Sequence, residues 1–262
     1  MTYETLTFDV QDNVGILTLN RPDNANALTG LMAKEMFDVS IRCENDPEVR
    51  AVLFTGAGKM FCAGGDLKEF EAEGDNLSAM ITETAALVHS AVIRMQYMDA
   101  PVVIAVNGTA AGAGFSFALS GDIVLASEHA KFISAYTASG LTPDGSSTYF
   151  LAKHVGLLRA KELALTNRLL SAEEAVEWGI ATRVVAADKL MDEAMELART
   201  FAKGPTKAYG GTKRLALTAF QNSMEAQLEA ETRMIASMTR THDGVHGIQS
   251  FANKQKPSFK GE

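Results

Sequence analysis

Two short stretches of the 262-residue chain concentrate small residues: Ala63-Gly64-Gly65-Asp66, shortly after Gly56-Ala57-Gly58, and Asn107-Gly108-Thr109-Ala110-Ala111-Gly112-Ala113-Gly114. Small residues where a strand passes into a helix let a ligand come close to backbone N–H groups, and the helix start adds a partial positive charge. One such amide from each stretch would polarise a carbonyl oxygen and stabilise an enolate or tetrahedral oxyanion, an effect worth about 3 kcal/mol per donor. Either stretch alone suits close helix–strand packing equally well, so the pair is more telling than its members. The spacing G-x-x-x-x-G-K-[ST] is absent, and no G-x-G-x-x-G is followed by the expected acidic residue, which excludes the common nucleotide-binding readings. Asp144, in Thr142-Pro143-Asp144-Gly145, is locally a turn residue.

Charge and composition exclude further classes. With 24 Lys+Arg against 32 Asp+Glu, the net charge of -8 disfavours a broad nucleic-acid footprint. The longest apolar stretch, residues 101–106, is far short of the ~20 residues needed to cross a bilayer. The N-terminus carries Glu4 and Asp9 and lacks a basic segment followed by an apolar one, so no secretory signal and a cytoplasmic location are expected. Cys43 and Cys62, without zinc-like neighbours, are read as reduced thiols. His242 and His246 could share a metal only on a continuous helix, which Gly244 disfavours; no metal is expected, and His129 and His154 receive no role.

Stepping outward to the elements, residues 3–20 alternate apolar and polar around Asp12-Asn13, the pattern of a β-hairpin. Helical spacing follows through Leu31, Met32, Met36, Val39 and Ile41, stopped by Asp46-Pro47. Apolar runs at residues 49–55, 102–106 and 123–126 suit strands covered on both faces. Between them lie an amphipathic helix over residues 76–98 and a short one over 112–119, and the alternation predicts an α/β layer. After residue 157 strand signals almost vanish. Helices are expected over residues 158–165, 171–178 and 189–203, with Ser171 as N-cap and Gly179 as C-cap, and then one long helix from 206 to about 241. Residues 1–186 thus read as the core and 187–262 as a helical annex that packs on a neighbouring subunit.

Phe61-Cys62-Ala63-Gly64-Gly65-Asp66-Leu67, residues 101–114 and Gly140-Leu141-Thr142-Pro143-Asp144-Gly145 resemble the crotonase, or enoyl-CoA hydratase/isomerase, superfamily. The likeness runs from Asn20-Arg21-Pro22 and Asn26-Ala27-Leu28 to Phe251, Lys254 and Pro257-Ser258-Phe259-Lys260. It implies an α/β crotonase fold: repeated ββα units in stacked sheets, then a C-terminal α-helical trimerisation region, assembled as a homotrimer or dimer of trimers. It also implies an acyl-CoA thioester whose carbonyl oxygen lies between the amides of Gly65 and Ala113. CoA, part of the substrate rather than a separate cofactor, would run along Asn24, Ala25, Ala27, Ala63 and Gly64, with Arg21 or Lys59 near its phosphates and Lys254 reaching them from a neighbouring subunit. No nucleic acid or membrane enters this reading.

The family's hydratases use two glutamates, and at the matching positions this chain has Ser116 and Tyr136. Asp144 instead matches the single aspartate of the phenylacetate-pathway isomerase type and of some Δ3,Δ2-enoyl-CoA isomerases. The expectation is an enoyl-CoA isomerase in which Asp144 moves a proton from C2 to C4 of a 3-enoyl thioester, leaving the conjugated 2-enoyl product. Leu141, Phe132, Phe115 and Phe150 are expected to form an apolar pocket around it, with Tyr136, Ser116, His89 and Leu141 facing the substrate. Residues 68–90 are expected to line the acyl chain's path. His89 and Asp144 also match the 4-chlorobenzoyl-CoA dehalogenase type, which makes a dehalogenase-like or other acyl-CoA hydrolase the first alternative. A hydratase and a non-catalytic acyl-CoA binder are the others.

Overall fold

The computed structural model describes residues 2–262. The chain opens on the hairpin β1 (Leu6–Gln11) and β2 (Val14–Leu19), whose turn residues Asp12 and Asn13 both take positive φ, as a two-residue type I′ turn requires. Helix α1 (Gly30–Asn45) begins where the Thr29 side chain accepts the Met32 amide, and it stops before Asp46-Pro47. Strands β3 (Ala51–Gly56) and β4 (Met60–Cys62) lead to α2 (Leu67–Ala72) and α3 (Leu77–Tyr97). Then β5 (Val102–Val106), β6 (Thr109–Ala111) and α4 (Ala113–Leu119) are followed by β7 (Ile123–Ser127), β8 (Lys131–Ile133) and α5 (Ser147–Thr166). The remainder is β9 (Leu170–Ser171), α6 (Ala172–Glu177), β10 (Arg183–Val185), α7 (Leu190–Ala202), α8 (Thr206–Thr218), α9 (Met224–Met238) and α10 (His242–Ala252).

The strand–strand–helix repeat has a geometric meaning. A six-stranded sheet runs β1-β2-β3-β5-β7-β10, parallel except for the first pair, and a four-stranded sheet runs β4-β6-β8-β9. Each of three consecutive units therefore gives its first strand to the large sheet and its second to the small one. Alternation along β3 explains why its sequence is apolar from Ala51 to Phe54: Val52 and Phe54 join the main core with Phe61, Ile104 and Phe132, while Leu53 and Ala51 turn to the opposite face. That second face is covered by Leu190, Ala194, Ala198 and Ala202 of α7, so strands buried on both sides need no polar alternate.

Three expectations are corrected. Short strands β9 and β10 continue the sheets beyond residue 157, and the helix expected at 158–165 is the second half of α5, which starts at Ser147 and kinks at Gly156. The single helix expected over 206–241 is two, because the chain turns back after Thr218 and Ser223 caps α9 by accepting the Ala226 amide. Gly244 does not break the last segment: α10 is continuous over His242–Ala252, and the two imidazoles stack 6.0 Å apart. Among the described residues, no cluster of three His, Cys, Asp or Glu could hold a metal, and no helix is long and apolar enough to span a membrane.

Candidate active site

The first glycine loop is fixed from behind by buried Asn26, whose Nδ2 donates to the carbonyls of Ala57 (2.9 Å) and Met60 (2.8 Å) while its Oδ1 accepts the Arg21 amide. Arg21 is spent on this loop, donating to the Ala27 carbonyl and pairing with Asp66 at 3.0 Å. Burial works to raise the Asp66 pKa, but Arg21 and the Glu69 and Lys68 amides prevail and hold it below the usual carboxylate range. Leu28 and Gly65 form an isolated parallel bridge in which the Leu28 amide donates to Gly64 O and the Asp66 amide to Leu28 O. That pattern consumes groups flanking Gly65 and leaves its own amide on the other side of the strand.

The second loop brings Ala113 in as the first residue of α4, where a helical amide has no partner within the helix. Gly112 reaches this corner at φ 52° and ψ -122°, and Gly64 sits at φ +100°, conformations that a side chain would oppose. The two glycines also back each other: a Cβ on Gly112 would lie 3.3 Å from Gly64 Cα. At Gly114 the approach is closer still, a Cβ meeting Cys62 O at 2.4 Å. Glycine at these positions is what lets α4 rest on the end of β4, so Gly65 and Ala113 line one cavity.

That cavity, about 270 Å³, is lined by Gly64, Gly65, Gly112 and Ala113 together with Tyr136, Leu141 and Asp144. Its apolar wall is Leu28, Leu67 and Phe70 with Ile81, Ala85 and Val88 of α3. Among the described residues Asp144 is the only carboxyl side chain on the wall. Tyr136 Oη donates to Asp144 Oδ1 at 2.8 Å and lies 2.8 Å from Ser116 Oγ, which also lies 2.9 Å from the Asp144 carbonyl oxygen. Burial, then the negative charge of Asp144, push the Tyr136 phenol above its ordinary value, so it stays an O–H donor. On the far side the Gly145 amide donates to His89 Nε2 at 3.1 Å, so that nitrogen meets the turn with a lone pair. His89 Nε2 is 3.6 Å from Asp144 Oδ2, but with its lone pair aimed at Gly145 it is a support for the turn rather than an ion-pair partner.

Gly65, Ala113, Asp144, Tyr136, Leu141, Ala63 and Gly64 thus meet at one cavity, with Ser116 and His89 just behind Asp144. Phe115, Phe132 and Phe150 do not line it: Phe115 and Phe132 pack against each other in the core, 6.2 Å between centroids, and Phe150 turns toward Tyr149 and His154. The apolar wall expected from them comes from α2 and α3 instead. Ile81, Thr84, Ala85 and Val88 are spaced as one helical face, a signal the sequence carries. Asn24, Ala25 and Ala27 lie beside the first loop, where the Ala63 amide donates to Ala25 O, and Lys254 follows α10 in the left-handed region and does not line the cavity.

Comparison with known proteins agrees with this architecture. The model of the enoyl-CoA hydratase/isomerase family matches residues 9–262. The chain belongs to that family. It is 36% identical to a 1,2-epoxyphenylacetyl-CoA isomerase of Escherichia coli, over 99% of both chains. It is 34% identical, over the whole of both chains, to a probable enoyl-CoA hydratase of Rhodobacter capsulatus. Among solved structures, an enoyl-CoA hydratase from Polaromonas sp. JS666 superposes with a TM-score of 0.92 at 30% identity, over 97% of this chain and 99% of that one. The expected crotonase fold and acyl-CoA-processing enzyme class therefore stand, and the reaction this family member performs has to be argued from its site.

Proposed function

We propose that the protein is an enoyl-CoA isomerase that converts a 3-enoyl-CoA to its conjugated 2-enoyl-CoA. The observation that carries the reading is the lone carboxyl, Asp144, on a cavity wall that Gly65 and Ala113 also line. The thioester oxygen accepts from those two amides, which makes the C2 protons acidic. Asp144 removes one, the electron pair moves into a dienolate, and the same proton returns at C4, so the double bond shifts and no atom is gained or lost. One carboxylate suffices, whereas water addition calls for groups that Ser116 and Tyr136 do not supply. CoA is carried by the substrate, so the scheme calls on no separate cofactor or metal. Assembly as a trimer, with Lys254 of a neighbouring copy near the CoA phosphates, belongs to the same reading and is checked by sedimentation.

The test is incubation with 3-hexenoyl-CoA in deuterated water, following 2-enoyl thioester absorbance and deuterium at C4. Conjugation is expected, with C4 carrying mainly the hydrogen taken from C2 and little deuterium, and with a loss of about 10²–10⁴-fold in Asp144→Asn and retained thioester binding. Undiminished turnover in Asp144→Asn, or comparable hydration of crotonyl-CoA by the wild type, would overturn it. A dehalogenase-like or hydrolytic reading draws on the 3.6 Å approach of His89 to Asp144. Because Nε2 is engaged by Gly145, that reading requires the turn to move first, and halide release from 4-chlorobenzoyl-CoA is its test.

A further inference from the structure

Three oxygen–oxygen contacts close a ring on Asp144: Tyr136 Oη to Asp144 Oδ1 at 2.8 Å, Ser116 Oγ to Tyr136 Oη at 2.8 Å, and Ser116 Oγ to the Asp144 carbonyl oxygen at 2.9 Å. Each is an O–H···O distance and calls for one hydrogen between its oxygens. With Asp144 ionised, the two hydroxyls supply two hydrogens for three contacts. With Asp144 protonated at Oδ1 there are three, and all point the same way round: Asp144 to Tyr136, Tyr136 to Ser116, Ser116 to the Asp144 carbonyl. The other acceptor near Ser116 Oγ is Gly112 O at 3.3 Å, a longer contact to a carbonyl already taken by the Ser116 amide. Ser116 is fully buried, so solvent does not supply a hydrogen at its hydroxyl, while the Asp144 side chain is partly exposed.

We infer that Ser116 and Tyr136 are positioning residues whose hydroxyls close this ring only around protonated Asp144, and so, on the isomerase reading, hold the abstracted proton between its removal from C2 and its delivery at C4. The groups facing Asp144 bear this out from each side. Tyr136 contributes from the 3-10 turn that begins at Thr137, and Ser116 from the second turn of α4. His89 of α3, the other titratable side chain beside Asp144 among the described residues, faces Oδ2 with a lone pair and lends it no hydrogen while neutral. The two side chains standing where the family's hydratases keep carboxylates thus serve the carboxyl that remains.

Removing the Ser116 hydroxyl takes two hydrogen bonds from the protonated form and one from the ionised form. Ser116→Ala is therefore expected to lower the Asp144 titration midpoint by about half a unit to one unit, the equivalent of one neutral hydrogen bond. The midpoint is read without substrate from the pH dependence of the Asp144 carboxyl infrared band, assigned by its loss in Asp144→Asn, and again from the acid limb of kcat/KM with 3-hexenoyl-CoA. Ser116→Cys keeps the side-chain shape with a slightly larger atom but donates poorly, so it should reproduce the shift, whereas a purely structural role would be largely rescued by it. An unmoved or raised midpoint in a folded variant overturns the inference. A lowered midpoint in a protein that fails to isomerise 3-enoyl-CoA supports the ring and overturns the isomerase reading instead.

Discussion

Alanine at Gly114 tests whether the seating of α4 on β4 sets the spacing of the two amide donors. The added Cβ would stand 2.4 Å from Cys62 O and 2.7 Å from Cys62 Cβ, atoms at the end of a strand that do not swing aside. About 1 Å must open before the contact is ordinary, and the helix, seven residues long and carrying Ala113 at its head, is the piece free to move. Overpacking of this kind costs about 1–3 kcal/mol, which in a chain of this size lowers Tm by roughly 2–6 °C. Withdrawing one oxyanion donor by that distance is worth about 10²–10³ in kcat, so activity should fall further than stability would suggest. Gly211→Ala is the matched control, because its Cβ meets the flexible thioether of Met234 at 2.8 Å and should leave turnover of 3-hexenoyl-CoA nearly intact. A Gly114→Ala protein with lowered Tm and wild-type kcat would refute the argument that this contact registers the donors.

Lys213 Nζ is buried against Asp122 at 2.7 Å and also donates to the carbonyls of Met95 and Ala100; burial pushes the lysine pKa down and that of Asp122 up, so their attraction is largely offset by desolvation. Lys213→Met alone should cost about 3–5 kcal/mol by stranding Asp122, while Lys213→Met with Asp122→Asn recovers most of it, as chemical denaturation of the full cycle will read. Burial pushes the Cys43 and Cys62 thiols up to about 12, so neither should react with a disulfide reagent at pH 8 until the protein unfolds. Asp243, buried, accepts the Lys260 and Gly261 amides at 2.8 and 2.7 Å; burial works to raise its pKa, but those amides hold it below the usual range. A depressed carboxylate stabilises above its unfolded value and loses that contribution as pH falls through the folded one, so the C-terminal segment should stay docked at neutral pH and loosen only in acid below the ordinary carboxylate range. Asp243→Ala should free residues 256–262 to carboxypeptidase at neutral pH, and resistance of that variant would count against the docking role.

The elements legible in the sequence are those whose burial is periodic over a long enough run. The hairpin, α1, α3 and the runs that became β3, β5 and β7 repeat their pattern several times, and each is present. Strands β4, β6 and β8 have three residues each, too few to show a period, although they form most of the second sheet and carry the donor loops. The break between α8 and α9 falls in Ala-Phe-Gln-Asn-Ser, which holds neither Gly nor Pro, and α10 forms in spite of Gly244 and Gly247, because tertiary packing outweighs propensity. At the site, the glycine loops were readable as local chemistry, whereas Asp144 read locally as a turn and gained its role only from the family resemblance. The contact of Ser116, Tyr136, Asp144 and His89 was not readable, since these residues lie on four separate segments and meet only once both sheets are stacked.

The single bridge between Leu28 and Gly65 also carries a rule of parity. In extended chain, successive amides face opposite sides, and the bridge ties down Gly64 and Asp66, so the odd member between them is the one that faces the cavity. Inserting or deleting one residue between Cys62 and Asp66 would present a neighbour's carbonyl oxygen where an amide hydrogen is needed, turning attraction for a thioester oxygen into repulsion without altering a single side chain. Length changes by one residue should therefore be tolerated in the exposed turn around Gly74 and not in this loop, where the count of residues, more than their identity, decides the polarity offered to a ligand.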